Sequence, residues 1–207
     1  MMKHFLPGVL AMAIIVVASN ILVQFLLGDW LTWGAVTYPF AFLVTDLMNR
    51  FYGPRQARRV VLAGFVTGVL CSLIGSQIEG QFGPLVSVRV AIGSGSAFLL
   101  AQMVDVAIFD RLRSGSWWRA PLVSSLIGSC LDSTIFFSMA FATQLAFIWP
   151  ADDVSWANET LPVLGVGPMA PLWVSLAIAD SSLKFALSLI ALLPFKAAVT
   201  KLSPKTA

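Results

Sequence analysis

Five charged side chains stand where a bilayer would penalise them. Asp46, Asp105, Asp132, Asp180 and Lys184 each lie inside a long apolar stretch. An ionisable group at membrane depth costs about 2.5–3.5 kcal/mol on insertion scales, so each is a functional candidate. Carboxylates and an ammonium can pair there, carry a proton, or bind the polar edge of a substrate. Asp180 and Lys184 are four residues apart, so on a helix their side chains meet. They read either as a structural ion pair or as a pair that substrate or a proton opens. Asp132 stands beside Ser133 and one turn from Ser129, hydroxyls that either satisfy it or share a ligand with it. Asn20 and Gln102 add amides at similar depth, as interhelical glue or as ligand contacts. Phe42, on the stretch that carries Asp46, is either lipid-facing or a face on which a flat ring stacks.

Six apolar segments must position these groups: about 5–27, 31–51, 58–78, 89–112, 120–148 and 168–195. Each reaches the roughly 20 residues a membrane helix needs, and the last two have length to spare for tilt. The expected fold is an all-α integral membrane protein, one domain over residues 1–207 with six transmembrane helices. Composition agrees: 58% of the 207 residues are apolar and 11% charged, against about 25% charged in soluble domains. Lys3 and His4 precede the first segment as they would in a secretory signal. That segment is long, carries Asn20 and Gln24, and no A-x-A site follows, so a retained helix is expected.

Charges between the segments alternate. Lys3, Arg50, Arg55, Arg58, Arg59, Arg111, Arg113, Arg119, Lys196, Lys201 and Lys205 fall on one side, which is eleven of the thirteen Lys and Arg. Asp29, Glu79, Asp152, Asp153 and Glu159 fall on the other, with Arg89 among them. By the positive-inside rule both termini are cytoplasmic. The net charge of +3 therefore reports topology, and no direct contact with nucleic acid is expected. Asp46 lies four residues before Arg50 and Asp105 six before Arg111, roughly 6 and 9 Å from the cytoplasmic edge. Asp132 lies thirteen after Arg119, roughly 20 Å in. Asp132 and Asp180 are thus the pair placed for a site near the midplane.

The loop at about 149–167 is expected outside, as a partial lid carrying Trp149 and Trp156. Its N-E-T tripeptide at Asn158 fits a glycosylation pattern. Trp30, Trp33, Trp117, Trp118 and Trp149 read as an interfacial belt. The small-residue runs GSGSA (93–97) and SSLIGS (124–129) permit close helix packing, and with it a homodimer. There is no G-x-x-x-x-G-K-[ST], H-E-x-x-H or G-x-S-x-G, and Cys71 and Cys130 lack metal-ligand spacing. No enzyme chemistry, metal or cofactor is expected.

Three blocks resemble one family, the queuosine precursor transporters, also grouped as vitamin uptake transporters. TWGAVTYPFAFLVTDLMNRFYGPRQARR (32–59) is similar to its second-helix motif. AFLLAQMVDVAIFDRLRSGSWWRAPLVSSLIGSCLDSTIFFSMAF (97–141) is similar to its fourth and fifth helices, and LAIADSSLKFALSLIALLPF (176–195) to its last. The resemblance implies a six-helix inner-membrane (plasma-membrane) importer of 7-deazaguanine bases, 7-cyano-7-deazaguanine or its aminomethyl relative, used for tRNA modification. It implies Asp46, Asp105, Asp132, Asp180 and Lys184 as site residues. A carboxylate such as Asp132 can accept the adjacent N1–H and 2-amino groups of such a base. Asn20 or Gln102 can donate to O6, and aromatic faces such as Phe42 can cover the rings. Two rivals remain at this level: a substrate-capture subunit of an ATP-driven vitamin importer, and a membrane scaffold that transports nothing.

Overall fold

A computed structural model describes residues 2–80 and 83–202, with side chains from Leu6 to Lys201. The side chains of Lys3, His4 and Lys205 lie outside the described residues. The helices are α1 (Met2–Leu22), α2 (Trp33–Thr37), α3 (Phe40–Tyr52), α4 (Pro54–Gly75), α5 (Val88–Leu112), α6 (Arg119–Phe141) and α7 (Leu172–Leu202). Three antiparallel hairpins join them at one end. They are β1 (Leu26–Leu27) with β2 (Leu31–Thr32), β3 (Glu79–Gly80) with β4 (Gly83–Pro84), and β5 (Thr160–Pro162) with β6 (Met169–Pro171).

Among the described residues, four helices are long and apolar enough to cross a membrane: Pro54–Gly75, Val88–Leu112, Arg119–Phe141 and Leu172–Lys201. A shorter apolar run, Leu6–Leu22, lies within α1. Burial is inverted relative to a soluble bundle. Large apolar side chains such as Ile14, Leu73 and Leu193 are more than half exposed, while Asp46, Asn49, Asp105, Asp132 and Lys184 are buried. Only a solvent as apolar as lipid makes that distribution favourable. The chain is a multi-pass helical membrane protein.

Sequence and structure differ at several bounds: the first helix ends at Leu22, not 27, the third at Gly75, not 78, and the last runs Leu172–Leu202, not 168–195. Three further differences have a local reason. The second segment, expected as one helix over 31–51, is broken between Thr37 and Phe40. Pro39 has no N–H to continue the helical ladder. Although Tyr38 and Pro39 keep helical torsions, the next bonds tighten to Ala41 N–H on Tyr38 O and Phe42 N–H on Pro39 O. The third helix begins at Pro54, not 58. Gly53 turns the chain at φ 81°, and Pro54 supplies a first helical position that needs no N–H donor. The fifth helix ends at Phe141, where 120–148 was expected to be continuous. Ala142 is extended and a 3-10 turn, Thr143–Ile148, follows.

Arg89 explains that last ending. Its side chain is fully buried at the start of α5. Its Nε and Nη2 donate to the Met139 carbonyl (3.2 and 2.9 Å), and Nη2 also donates to the Ala142 carbonyl (2.9 Å). The Met139 carbonyl is one that the end of α6 leaves without a helical partner, and the Ala142 carbonyl just past it also accepts from the Leu145 N–H at 3.1 Å. A cation there suits the helix dipole. The Arg89 backbone N–H donates to Asp152 Oδ2 (3.0 Å), which ties the loop between α6 and α7 to the same point. Asn158 closes that loop. Its amide donates to the carbonyls of Phe141 and Val154, both at 2.8 Å, and its Oδ1 accepts from the Thr143 N–H at 3.4 Å. The nitrogen that a glycan would need is therefore engaged.

The principal apolar core joins Met12 and Val16 of α1, Met48 of α3, Val60 of α4 and Phe98 and Val106 of α5. The small-residue runs are used inside the chain. Gly93 of α5 approaches the backbone of α6, where a Cβ would meet Ala140 N at 3.3 Å. The tightest backbone approach is between α1 and α2: a Cβ on Gly34 would sit 2.9 Å from both Ser19 O and Val23 N. Backbone atoms cannot swing away, so overpacking of about 1–3 kcal/mol follows from any side chain there. Gly34→Ala is expected to lower the thermal midpoint in detergent. Gly68→Ala, whose Cβ would meet only Val16 Cγ1 at 3.6 Å, should leave it unchanged. Equal midpoints for the two variants would contradict this packing.

Candidate substrate cavity and its polar floor

A cavity of about 690 Å³ opens among the hairpin-bearing ends of the helices. It is bounded by the ends of α1, α4 and α6 and the starts of α2, α5 and α7. The basic residues lie toward the opposite ends: Arg55 at the start of α4, Arg113 just past the end of α5, Lys196 in the second half of α7, and Arg50 in the last turn of α3. Its volume falls within the range of about 300–1,000 Å³ usual for small-molecule sites. Aromatic side chains form much of its wall: Trp30, Phe136, Phe137, Phe141 and Trp156. Phe136 and Phe137 pack edge-on at 5.0 Å, and Phe141 meets Trp156 at 5.4 Å. Trp156 thus belongs to the wall, as a partial lid requires, whereas Trp149 lies outside it.

The polar groups gather at the floor. Lys184 of α7 places Nζ 2.5 Å from Asp180 Oδ2 on its own helix and 2.7 Å from Asp132 Oδ2 on α6. Its third donor position faces Ser133 Oγ at 3.2 Å. Ser133 in turn donates to Asp180 Oδ2 at 2.6 Å. Tyr38 donates to Asp132 Oδ1 at 3.0 Å, and its ring lies 5.2 Å from the ammonium. Every donor of the lysine is used and both Asp132 oxygens are held. Asp180 Oδ1 takes no hydrogen bond from the described residues, and Asp180 is among the residues that line the cavity. Two carboxylates against one ammonium leave a formal charge of −1, suited to donors such as N–H and NH₂.

A second polar layer lies deeper, toward the basic ends. Asp46 of α3 accepts from Ser124 Oγ (3.3 Å) and Ser125 Oγ (3.2 Å) of α6. Asp105 of α5 stands beside Asp46 and Ser124, fully buried, yet neither of its oxygens has a hydrogen-bond partner. Gln102 meets the Thr45 hydroxyl at 2.7 Å and leaves its Nε2 unpartnered. Asn49 donates to the Val106 carbonyl at 3.0 Å, which fixes α3 on α5.

The eight candidate residues therefore divide. Asn20, Asp132, Asp180 and Lys184 border the cavity; Phe42, Asp46, Gln102 and Asp105 do not. Phe42 is 2% exposed and packs on Gly128, where a Cβ would come within 2.7 Å of its ring. It fills the layer between the two polar groups and stacks on nothing in the cavity. Asn20 spends its amide N–H on the Val16 carbonyl at 2.9 Å. Tyr38 joins the floor cluster and was passed over by the sequence reading, whereas Ser133, expected to satisfy Asp132, meets Lys184 and Asp180 instead. The signal for Tyr38 was its hydroxyl next to Pro39, at the break of an apolar helix.

A polar floor beneath an aromatic-walled cavity, inside a multi-pass membrane protein, defines a carrier-like site. The family model described as "Putative vitamin uptake transporter" matches residues 32–199, and the chain belongs to that family. It is 34% identical to the "Queuosine precursor transporter" of Escherichia coli (strain K12) over 196 residues, which span 87% of this chain and 79% of that protein. It is 31% identical to the "Probable queuosine precursor transporter" of Bacillus subtilis (strain 168), across 86% of this chain and 76% of that one. A protein of the same description from Haemophilus influenzae is 37% identical over 121 residues, 53% of this chain and 52% of its own length. These relatives bear the names of transporters, not enzymes. No solved structure matches the chain.

Removing one partner of a buried ion pair costs about 3–5 kcal/mol, because the other charge is left uncompensated. Lys184→Met should therefore lower the thermal midpoint markedly. Adding Asp132→Asn and Asp180→Asn to it should restore part of the loss. A single variant as stable as the parent would count against the three-residue cluster.

Proposed function

We propose that the chain is a six-span carrier with both termini cytoplasmic, importing queuosine precursor bases across the cell's inner membrane. The broken pair α2–α3 serves as the second span, and α1 as the first. The substrates are 7-cyano-7-deazaguanine and its aminomethyl relative. The observation that carries this reading is the floor of Asp132, Asp180, Lys184 and Tyr38 beneath an aromatic wall, in a chain whose relatives are named for queuosine precursor transport.

The chemistry fits a flat base. The rings lie against Phe136, Phe141 or Trp156, where burial and quadrupole contacts favour them. Asp180 Oδ1 is the acceptor already free for the base's N–H and amino donors. Asp132 becomes available when Lys184 and Tyr38 release it, so the base competes for the ion cluster instead of adding to it. Asn20 supplies the amide edge. Asp46 and Asp105 lie below the cavity, on the cytoplasmic exit.

Labelled base taken up by cells that lack their own importer provides the test. Asp132→Asn with Asp180→Asn should abolish uptake, and loss of a charge-assisted hydrogen bond of about 1.5–3 kcal/mol predicts at least a tenfold fall for either alone. Unchanged uptake in the double variant would remove these residues from the site. Purified protein in liposomes should transport base without other subunits; a requirement for an ATP-hydrolysing partner would favour the substrate-capture alternative.

A further inference from the structure

We propose that Asp46 and Asp105 form a proton-binding site that couples base uptake to a proton gradient; this rests on the transport reading above. Asp46 and Asp105 lie in one fully buried layer, bracketed by the α3–α5 hydrogen bonds of Thr45 with Gln102 (2.7 Å) and of Asn49 with the Val106 carbonyl (3.0 Å). The floor cluster brings its own cation, Lys184, whereas this layer has none among the described residues. Asp105 supplies an independent observation: both its oxygens are buried and without any donor. A carboxylate in that state faces the full cost of lost solvation. One proton on either carboxyl makes an O–H that donates to the other, halves the charge and gives Asp105 its missing partner.

No neighbouring charge does this instead. On α3, Arg50 donates to the Arg113 carbonyl at 2.8 Å. On α5, Arg113 pairs with Asp110 at 3.2 Å, and Arg111 lies in the last turn. On α7, Lys184 is held by Asp132 and Asp180, and Lys196 stands 5.1 Å from the Trp117 ring. On α4, Arg55, Arg58 and Arg59 occupy the first turns, with Arg59 near Gln56. α6 presents only the hydroxyls of Ser124 and Ser125, with Arg119 at its start, and described side chains of α1 bring no charge.

The geometry favours a proton over a metal ion. The serine hydroxyls donate to Asp46, so their hydrogens point at the carboxylate, and the large cavity does not extend to the pair. A metal ion needs room and oxygen lone pairs; a proton needs neither. A path from the cavity is also built in. Ser129 is buried with its hydroxyl unpartnered, one helical turn from Ser125 on one side and from Asp132 and Ser133 on the other. A proton entering at the floor can pass Ser129 to the carboxyl pair and leave toward the basic end, one for each base carried.

Purified protein in liposomes, with the membrane potential clamped, tests this with labelled 7-deazaguanine base and an acid-outside gradient. One proton per base predicts that accumulation rises about tenfold per pH unit. Asp105→Asn and Asp46→Asn should make uptake indifferent to the gradient. In the parent protein, infrared spectroscopy should also show a protonated carboxyl band that Asp105→Asn removes. Parent uptake that ignores the pH gradient, follows sodium, or keeps its proton dependence in Asp105→Asn overturns the proposal and leaves transport standing. A carboxyl band that titrates and vanishes in Asp105→Asn, with no base moved under any gradient, supports the proton site and refutes base transport.

Discussion

An ammonium group inside an apolar bundle survives only if each of its N–H bonds meets an oxygen. At Lys184 that condition recruits Asp180 from its own helix and Asp132 and Ser133 from α6. Much of the architecture follows from it. α6 and α7 are held at the depth where those oxygens converge, and Asp132 extends the contact to α2 through Tyr38. Tyr38 stands at the junction of α2 and α3, directly before Pro39, and its hydroxyl reaches that carboxylate from there. A cluster made for electrostatic necessity thereby becomes the floor of a cavity.

Substrate recognition and stability are in conflict at such a floor. Any donor that a ligand brought to Asp132 would have to displace one already there, from Lys184 or Tyr38. Binding is therefore an exchange of partners, and the cost of parting the ion cluster falls when a ligand substitutes for what it removes. Asp180 Oδ1 breaks the symmetry, since it offers an acceptor without a prior occupant. The aromatic wall asks for no such exchange and contributes burial alone.

The membrane character and the charged candidates were legible because both are local properties of the chain: apolar length, and ionisable residues within it. The Asp180–Lys184 contact was legible for the same reason, as helix spacing brings the two together. The reach of Lys184 to Asp132 was not, since 52 residues separate them and no periodicity links α6 to α7. The end of α6 was equally hidden. Residues 142–148 stay apolar, so hydropathy continues where the helix stops. The stop depends on Arg89, 50 residues earlier, which the charge pattern registered only as an exception. Phe42 shows the opposite failure: its type suggested stacking on a ligand, while its partner, Gly128, made it part of the helix packing.

Phe42 on Gly128 also has an electrical meaning. The open cavity brings the potential of the solution at its mouth down to Asp180 and Lys184, because mobile ions and water cannot sustain a steep field. Most of the voltage across the membrane must then fall over the compact layer that Phe42 fills and the polar groups just beneath it. A unit charge moved through that layer meets about 2.3 kcal/mol for every 100 mV, although it travels only a fraction of the bilayer's thickness. The protein thus concentrates the membrane's energy into the few ångströms where its charged side chains can respond to it.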